Sequence, residues 1–232
     1  MIKAVSFDLD HTLYDRYATL GMIAPLLKNH FSVNPVFDDR DVYEKMVYAD
    51  RYYVHKGWDA LQDYLYYNTD LFVKTPGSDE YRKFVMGEFM NTAVKFPFVL
   101  PMLNKLKQKN YKIGLITNGN AKLQNRKIDL LNLRECFDYI YIGGEHELSK
   151  PHIEPFIITA NKLNVNTAEM AYVGDNPIND IEASRNAGCL PIHIDTTETW
   201  VLENIEKPRY SLKTVKEVPE LIEKINSEEM QL

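Results

Sequence analysis

Short apolar runs recur along this chain, and turn-forming or polar residues follow each of them. A short apolar run that stops at a polar turn is typical of a strand buried in a parallel sheet. The first run, residues 2–7, stops abruptly at the acidic sequence DLD. The pattern predicts five strands, at residues 2–7, 111–117, 139–143, 170–174 and 190–194.

Segments with helical spacing of apolar residues lie between the later strands. Gly188, at the end of the last segment, is a plausible helix C-cap. Strands and helices that alternate in this way form a parallel sheet with helices on both faces. The predicted fold class is therefore α/β, a doubly wound parallel sheet, with helices at residues 100–110, 121–133, 154–164 and 178–188.

Residues 16–95 break the alternation, because apolar residues there recur every three or four positions without strand-like runs. We therefore expect a mostly helical domain at 16–95, inserted into an α/β core made of 1–15 plus 96–232. Pro25 should kink the first inserted helix or begin a new one. Eight of the fifteen tyrosines fall between positions 43 and 81. We interpret most of them as packing residues of the small helical domain, while stacking on a substrate stays a hypothesis.

Composition limits the functions that the chain can have. Of the 232 residues, 45% are hydrophobic and 26% are charged, as in folded soluble proteins. The net charge of -6 gives no general attraction to nucleic acid or to an anionic membrane, so an anionic ligand needs local positive groups. With two distant cysteines and neither a leader sequence nor an apolar run of about 20 residues, we expect a cytoplasmic protein.

Chemically active residues cluster just after four of the predicted strands. In doubly wound sheets, ligands bind beyond the carboxyl ends of the strands, so these side chains should meet there. The candidates are Asp8, Asp10 and Thr12 after the first strand, Thr117 and Asn118 after the second, Lys150 in the turn after the third, and Asp175 and Asp180 after the fourth.

Asp8, Asp10 and Asp175 would form a cluster of carboxylates that needs a cation or a proton. Oxygen ligands without histidine or cysteine nearby favour a hard cation, and Mg²⁺ fits best. Lys150 and the hydroxyl of Thr117 could hold an anionic group beside that cation. Together these groups indicate phosphoryl transfer, in which catalysis depends on positioning and on neutralisation of charge.

These motifs resemble those of the haloacid dehalogenase superfamily, in its phosphatase branch with a helical cap domain inserted after the first motif. The resemblance covers nearly the whole chain and implies a Rossmann-like core. It rests on the DxDxT motif from Asp8 to Thr12, the strand end at Thr117, the lysine at Lys150 and the GDxxxxD segment from Asp175 to Asp180.

The resemblance implies a role for each position. Asp8 would be the nucleophile and a metal ligand, and Asp10 the acid and base, with its backbone carbonyl on the metal. Thr117 and Lys150 would bind the phosphoryl oxygens as further catalytic residues, with the backbone N–H near Asn118. Asp175 would complete the metal site. In supporting roles, Thr12 would stabilise the turn and Asp180 would order Lys150 or metal-bound water, although Asp180 could instead be a helix N-terminal residue.

We expect an enzyme, a Mg²⁺-dependent phosphomonoester hydrolase that forms an aspartyl-phosphate and acts on a small soluble metabolite. The candidate substrates are nucleoside monophosphates, sugar phosphates and phosphoglycolate, and nucleic-acid substrates are disfavoured because a cap limits substrate size. A phosphomutase or phosphotransferase stays open as an alternative. A dehalogenase is disfavoured by Asp10, since halide needs no proton, and a non-catalytic regulator by the complete set of motifs. The oligomeric state is open.

Overall fold

The computed structural model describes residues 1–195 and 205–229, and these residues divide between two compact units. One unit comprises Met1–Asp15 with Lys95–Leu232, and the other comprises Arg16–Val94. The core domain expected from the sequence also includes residues 196–204 and 230–232, which lie outside the described residues.

The larger unit contains a six-stranded sheet in the order β3-β2-β1-β4-β5-β6, and every neighbouring pair is parallel. This arrangement confirms the predicted α/β fold. The strands are β1 (Ala4–Phe7), β2 (Lys112–Thr117), β3 (Tyr139–Ile142), β4 (Met170–Gly174), β5 (Leu190–Ile194) and β6 (Tyr210–Leu212).

Strand β1 lies at the centre of the sheet, and all four of its residues are buried. In the register of the sheet, Ala4 is opposite both Lys112 of β2 and Met170 of β4. The chain order runs outward from β1 in both directions, so the boundary between β1 and β4 is the switch point of the topology. Ligands of such sheets bind in the crevice at the carboxyl ends of the strands beside this point.

The helices of this unit are α5 (Val99–Gln108), α6 (Ala121–Leu130), α7 (Glu154–Lys162), α8 (Ala183–Asn186) and α9 (Val218–Glu229). Three of them end two residues before an asparagine with positive φ, at Asn110, Asn132 and Asn164. Asparagine tolerates this left-handed conformation and ends a helix there. For this reason α5, α6 and α7 stop before the ends predicted from apolar spacing.

Three features near the carboxyl-terminal part were not predicted. A π-helical turn, Pro177–Glu182, precedes α8, so the predicted helix at 178–188 is mostly not a regular α-helix. The edge strand β6 and helix α9 had no counterpart in the sequence prediction. Within α9, Asn226 exchanges two hydrogen bonds with the backbone of Ile2, at 2.6 and 3.0 Å, and so joins the two ends of the described chain.

The unit Arg16–Val94 consists of four helices, α1 (Arg16–His30), α2 (Asp39–Tyr53), α3 (Trp58–Tyr67) and α4 (Ser78–Asn91), with short connections. Helix α1 continues through Pro25, so no new helix begins there. Tyr81 is fully buried among the rings of Phe31, Tyr66 and Phe72, which is the packing role expected for aromatic residues in this segment. Other tyrosines, at 48, 52 and 67, are exposed.

A buried ion pair joins α1 to α2 inside this unit. The guanidinium of Arg16 donates from both Nε and Nη2 to the carboxylate of Asp50, at 2.7 to 3.0 Å. Arg16 also lies over the ring of Phe89, with its Cζ 4.6 Å from the ring centroid. None of the helices within 1–195 and 205–229 has the length and hydrophobicity needed to span a bilayer.

Candidate active site

The loop after β1 places Asp8 and Asp10 beside the centre of the sheet. The N–H of Asp8 donates to the carbonyl of Val173 in β4, at 2.9 Å, which continues the ladder by one residue. The carbonyl of Leu9 then accepts from the next turn, including Thr12 N–H at 3.3 Å. His11 takes a φ of 62° in this turn, and Thr12 is buried there.

Lys150 is almost completely buried beside Asp8. Its Nζ lies 2.6 Å from Asp8 Oδ1, 2.6 Å from Asp180 Oδ1 and 2.8 Å from the hydroxyl of Tyr172. A lysine ammonium has three N–H groups, so these three neighbours use all of them. Burial alone would lower the pKa of Lys150, but the carboxylates of Asp180 and Asp8 outweigh it and raise the pKa.

Tyr172 was not singled out from the sequence because its position inside an apolar strand resembles that of an ordinary core residue. Its hydroxyl lies 3.0 Å from the carbonyl of Ile116 and 3.2 Å from Asp180 Oδ1. The ring is buried and packs edge-on against Phe156. The Tyr172 hydroxyl therefore helps to position the ammonium of Lys150 through a buried hydrogen bond.

Asp180 is fully buried in the turn Pro177–Glu182. One of its oxygens binds Lys150, and the other accepts the N–H of Asn176 at 2.9 Å. A Cβ at Gly174 would lie 2.5 Å from this carboxyl group, so the glycine gives Asp180 the space to approach Lys150. Asp180 thus contacts both Lys150 and the N–H of Asn176, which precedes this turn, and its role stays a prediction.

Oxygens of Asp8, Asp175 and Asp180 lie within 4.8 Å of one another. Burial raises the pKa of Asp8 to about 7, with smaller contributions from Asp180 and Asp10, and the nearby Lys150 opposes the rise. Burial, Asp180 and Asp8 likewise raise the pKa of Asp175 well above its usual value. Buried carboxylates this close together favour a bound cation or proton, and their all-oxygen donor set fits a hard divalent ion.

The expected metal set differs from this cluster in one member. The side chain of Asp10 lies against helix α6, whereas Asp180 lies in the cluster. The sequence prediction assigned only the backbone carbonyl of Asp10 to the metal, and its side chain to proton transfer. In the structure, the carboxylate of Asp10 contacts Gln124 and Lys127 of helix α6, and both roles of Asp10 stay predictions.

Thr117 and Asn118 follow β2 and connect it to the loop of Lys150. The side chain of Asn118 donates to the carbonyl of Lys150 at 2.7 Å and accepts the N–H of Lys150 at 3.0 Å. The hydroxyl oxygen of Thr117 accepts from Nε2 of Gln124 at 2.7 Å. The ends of β1, β2 and β4 and the loop after β3 therefore meet in one place, as the sequence predicted for these residues.

Gln124 and Lys127 of helix α6 are a part of the site that the sequence analysis missed. Lys127 Nζ lies 2.6 Å from Asp10 Oδ1, and Gln124 Nε2 lies 2.9 Å from Asp10 Oδ2. Both residues are buried. A usable signal was present, because Gln124 and Lys127 are three residues apart and share the buried face of α6 with Leu123 and Ile128.

Comparison with known proteins assigns the family. Residues 5–194 match the family model described as haloacid dehalogenase-like hydrolase, and the chain belongs to this family. The glyceraldehyde 3-phosphate phosphatase of Methanopyrus kandleri is 28% identical, over 94% of this chain and 99% of the relative. The N-acylneuraminate-9-phosphatase of Homo sapiens is 26% identical, over 97% of this chain and 95% of the relative.

Solved structures show the same fold. A phosphatase of this family from Thermococcus onnurineus has a TM-score of 0.64 at 22% identity, covering 95% of this chain and 98% of that one. The L-2-haloacid dehalogenase of Xanthobacter autotrophicus has a TM-score of 0.67 at 17% identity, covering 96% and 99%. Together with the phosphatases among the relatives, the family match confirms the family and the phosphatase branch expected from the sequence.

Proposed function

We propose that this phosphatase is Mg²⁺-dependent and hydrolyses a small phosphorylated metabolite through an aspartyl-phosphate on Asp8. The observation that carries the proposal is the placement of Asp8. Its carboxylate lies at the end of the central strand, 2.6 Å from Lys150 Nζ and within the cluster formed with Asp175 and Asp180. A nucleophile and a cation site at one carboxylate are what phosphoryl transfer to a protein oxygen requires.

Two balanced steps follow from this placement. In the first, an oxygen of Asp8 bonds to phosphorus while the bond from phosphorus to the leaving oxygen breaks, and Asp10 gives that oxygen its proton. In the second, water bonds to phosphorus, Asp10 takes a proton from it, and the bond to Asp8 breaks to release phosphate. Asp10 thereby returns to its starting protonation state, as a general acid and then a general base.

The remaining residues bind and position the phosphoryl group. Mg²⁺ held by Asp8, Asp175 and the Asp10 carbonyl would neutralise charge on the phosphoryl oxygens. Thr117 and the N–H near Asn118 would donate to them. Because the N–H groups of Lys150 already have protein partners, a phosphoryl oxygen would take the place of one of these partners.

Asp180 and Thr12 support these groups without touching the substrate. Asp180 holds the ammonium of Lys150 through a buried contact of 2.6 Å. Thr12 belongs to the tight turn at the Leu9 carbonyl and so keeps Asp8 and Asp10 in place. Neither residue has to exchange a proton for the two steps above.

The substrate is a small phosphomonoester in this proposal. Relatives are named for glyceraldehyde 3-phosphate and for N-acylneuraminate 9-phosphate, so sugar-derived phosphates join the nucleotide and phosphoglycolate candidates. The helical unit Arg16–Val94 would act as the cap that limits substrate size. The net charge of -6 disfavours nucleic acid, and the free thiols of Cys136 and Cys189 suit a reducing cytoplasm.

The test is a panel of phosphorylated metabolites assayed with Mg²⁺ for release of inorganic phosphate. The wild-type protein should release phosphate from at least one of them, and Asp8→Asn should abolish release because the amide cannot attack phosphorus. Asp79→Asn, an exposed site on α4, is the matched control and should keep full activity. A phosphomutase would rearrange a sugar phosphate without net release. Turnover by Asp8→Asn, or none by wild type at high enzyme concentration, would contradict the proposal.

A further inference from the structure

Lys127 is a buried cation that the two steps above do not use. Only 2% of its side chain is exposed, and its Nζ lies 2.6 Å from Asp10 Oδ1 and 4.7 Å from the centre of the Tyr14 ring. Lysine is almost never buried unless it is paired, because the ammonium loses its hydration. A carboxylate with a predicted catalytic role is therefore an anionic contact of this buried lysine.

Gln124 holds the other oxygen of the same carboxylate. Its Nε2 lies 2.9 Å from Asp10 Oδ2, 2.7 Å from Thr117 Oγ1 and 2.9 Å from the carbonyl of Asn118. The two donors to Asp10 thus come from one helix, three residues apart, and each contacts a different oxygen. Two contacts of this kind fix both the position and the plane of a carboxylate, which one contact cannot do.

Helix α6 is itself held firmly at the end of β2. Asn120 precedes the helix, and its side chain accepts the N–H of Leu123 at 3.2 Å as an N-cap. Gln124 connects the same turn to Thr117 at the end of the strand. Asp10 is therefore contacted by a helix that is capped at its N-terminus and bonded to the end of β2, and not only by its own loop.

We propose that Lys127, acting with Gln124, is a positioning residue that holds the Asp10 carboxylate in the orientation needed for proton transfer. This inference rests on the proposed function, because it takes Asp10 as the acid and base of the two steps. Lys127 exchanges no proton itself. Its loss should therefore slow those steps in which Asp10 moves a proton and spare those in which it does not.

The test uses Lys127→Met and 4-nitrophenyl phosphate, whose leaving group departs as a stable anion without a proton. Formation of the aspartyl-phosphate should then be nearly unaffected, while its hydrolysis, which needs Asp10 as a base, should slow. We expect kcat to fall about 10-fold while kcat/KM stays within about twofold of wild type. The fall in kcat is smaller than the full rate effect of general acid–base catalysis, because Asp10 itself is still present. A burst of nitrophenolate close to one equivalent per protein should precede the slow phase.

Three controls define the result. Lys122→Met removes an exposed lysine from the same helix and should change nothing. Lys127→Arg keeps a cation at the site and should recover part of the lost kcat. Glyceraldehyde 3-phosphate, which releases a poor leaving group, is assayed where wild type accepts it, and there Lys127→Met should lower kcat/KM as well.

A purely structural role for Lys127 would lower kcat at constant KM without a burst, and that result would overturn the inference. If Lys127→Met does not fold, Lys127→Gln takes its place with the same expectations and the same criterion. Asp10→Asn separates the two proposals, because it should show a stronger burst than Lys127→Met. A burst with Asp10→Asn but none with either Lys127 variant rejects the positioning role alone, whereas no burst with Asp10→Asn rejects the acid–base role of Asp10.

Discussion

At the residue scale, the lack of a side chain at Gly174 leaves the space that the carboxyl group of Asp180 occupies. A methyl group at this position would lie 2.5 Å from the carboxyl group of Asp180, closer than nonbonded carbon and oxygen atoms approach. Asp180 is buried and bound to Lys150, so it has little space in which to retreat. The glycine is therefore required by the approach of Asp180 to Lys150.

We expect Gly174→Ala to lower phosphatase activity at least about 10-fold, because a displaced Asp180 releases the ammonium that holds Asp8, and small misplacements in a site are costly. The expected loss is measured with the best substrate of the metabolite panel. Gly87→Ala is the matched control, since a Cβ there meets nothing within 4 Å. Gly87 lies inside α4, so the control should keep activity and gain about 0.5–1 kcal/mol in the free energy of unfolding. Equal activity of the two variants would refute the role of Gly174.

At the scale of elements, the contact between α1 and α2 includes the buried ion pair of Arg16 and Asp50. Both side chains are at least nine-tenths buried, and the guanidinium contacts both carboxylate oxygens. Removal of one partner from a buried pair leaves the other charge in an apolar environment. The pair is thus a point at which the helical unit is sensitive to a single substitution.

Asp50→Ala should lower the free energy of unfolding of the helical unit by about 3–5 kcal/mol, the usual cost of breaking a buried ion pair by removing one member. Denaturation in urea, followed by circular dichroism, measures the change. Glu44→Ala removes the partner of Arg40 in an exposed pair on α2 and should have almost no effect. If the two substitutions destabilise the protein equally, the buried pair does not have the importance assigned to it.

The sequence predicted elements well where a single physical signal decides them. Strands β1 to β5 were found because buried parallel strands are continuous apolar runs. Helices α5, α6 and α7 were predicted, but their predicted ends lie two or three residues too far along the chain. The apolar spacing does not reveal the asparagines with positive φ that follow each helix and end it. Strand β6 has three partly or fully exposed residues at the sheet edge, so it carries no apolar run to detect.

The site was predictable in part for the same reason. The residues at strand ends could be placed together, because parallel strands bring their carboxyl ends to one edge. Lys127 and Gln124 could not be assigned to Asp10 in this way, since the packing of α6 on the sheet determines which loop its buried face meets. Tyr172 was missed because only the structure shows that its hydroxyl reaches Lys150.

At the scale of the whole molecule, the proposed cation site in the acidic cluster would couple cation binding to stability. A ligand that binds only the folded state stabilises it by mass action, by about 2.7 kcal/mol at 100 times its dissociation constant. We expect Mg²⁺ to raise the melting temperature of wild type, and Asp175→Asn to remove most of this increase. Asp129→Asn alters an exposed carboxylate on α6 and should leave the increase intact.

The Mg²⁺ effect should also depend on pH. Because burial raises the pKa of Asp8 from 3.8 to about 7, the fold without bound cation should lose stability as the pH rises from 3.8 to about 7, and in this range protons compete with the cation. The increase in melting temperature should therefore be larger at pH 8 than at pH 6, as measured by differential scanning calorimetry at fixed Mg²⁺. An increase that is equal at both pH values, or that Asp175→Asn leaves unchanged, would contradict the cation site.

The central position of β1 has a consequence for the order of folding. Ala4 emerges from the ribosome long before either of its ladder partners, Lys112 and Met170, and the whole helical unit is translated in between. Until β2 and β4 have been synthesised, the first strand is therefore an apolar segment without ladder partners, the kind of segment that chaperones bind. Asn226, which bonds to Ile2, arrives later still. The nascent chain thus completes the ladder of its innermost strand only after β4, at residues 170–174, has been synthesised.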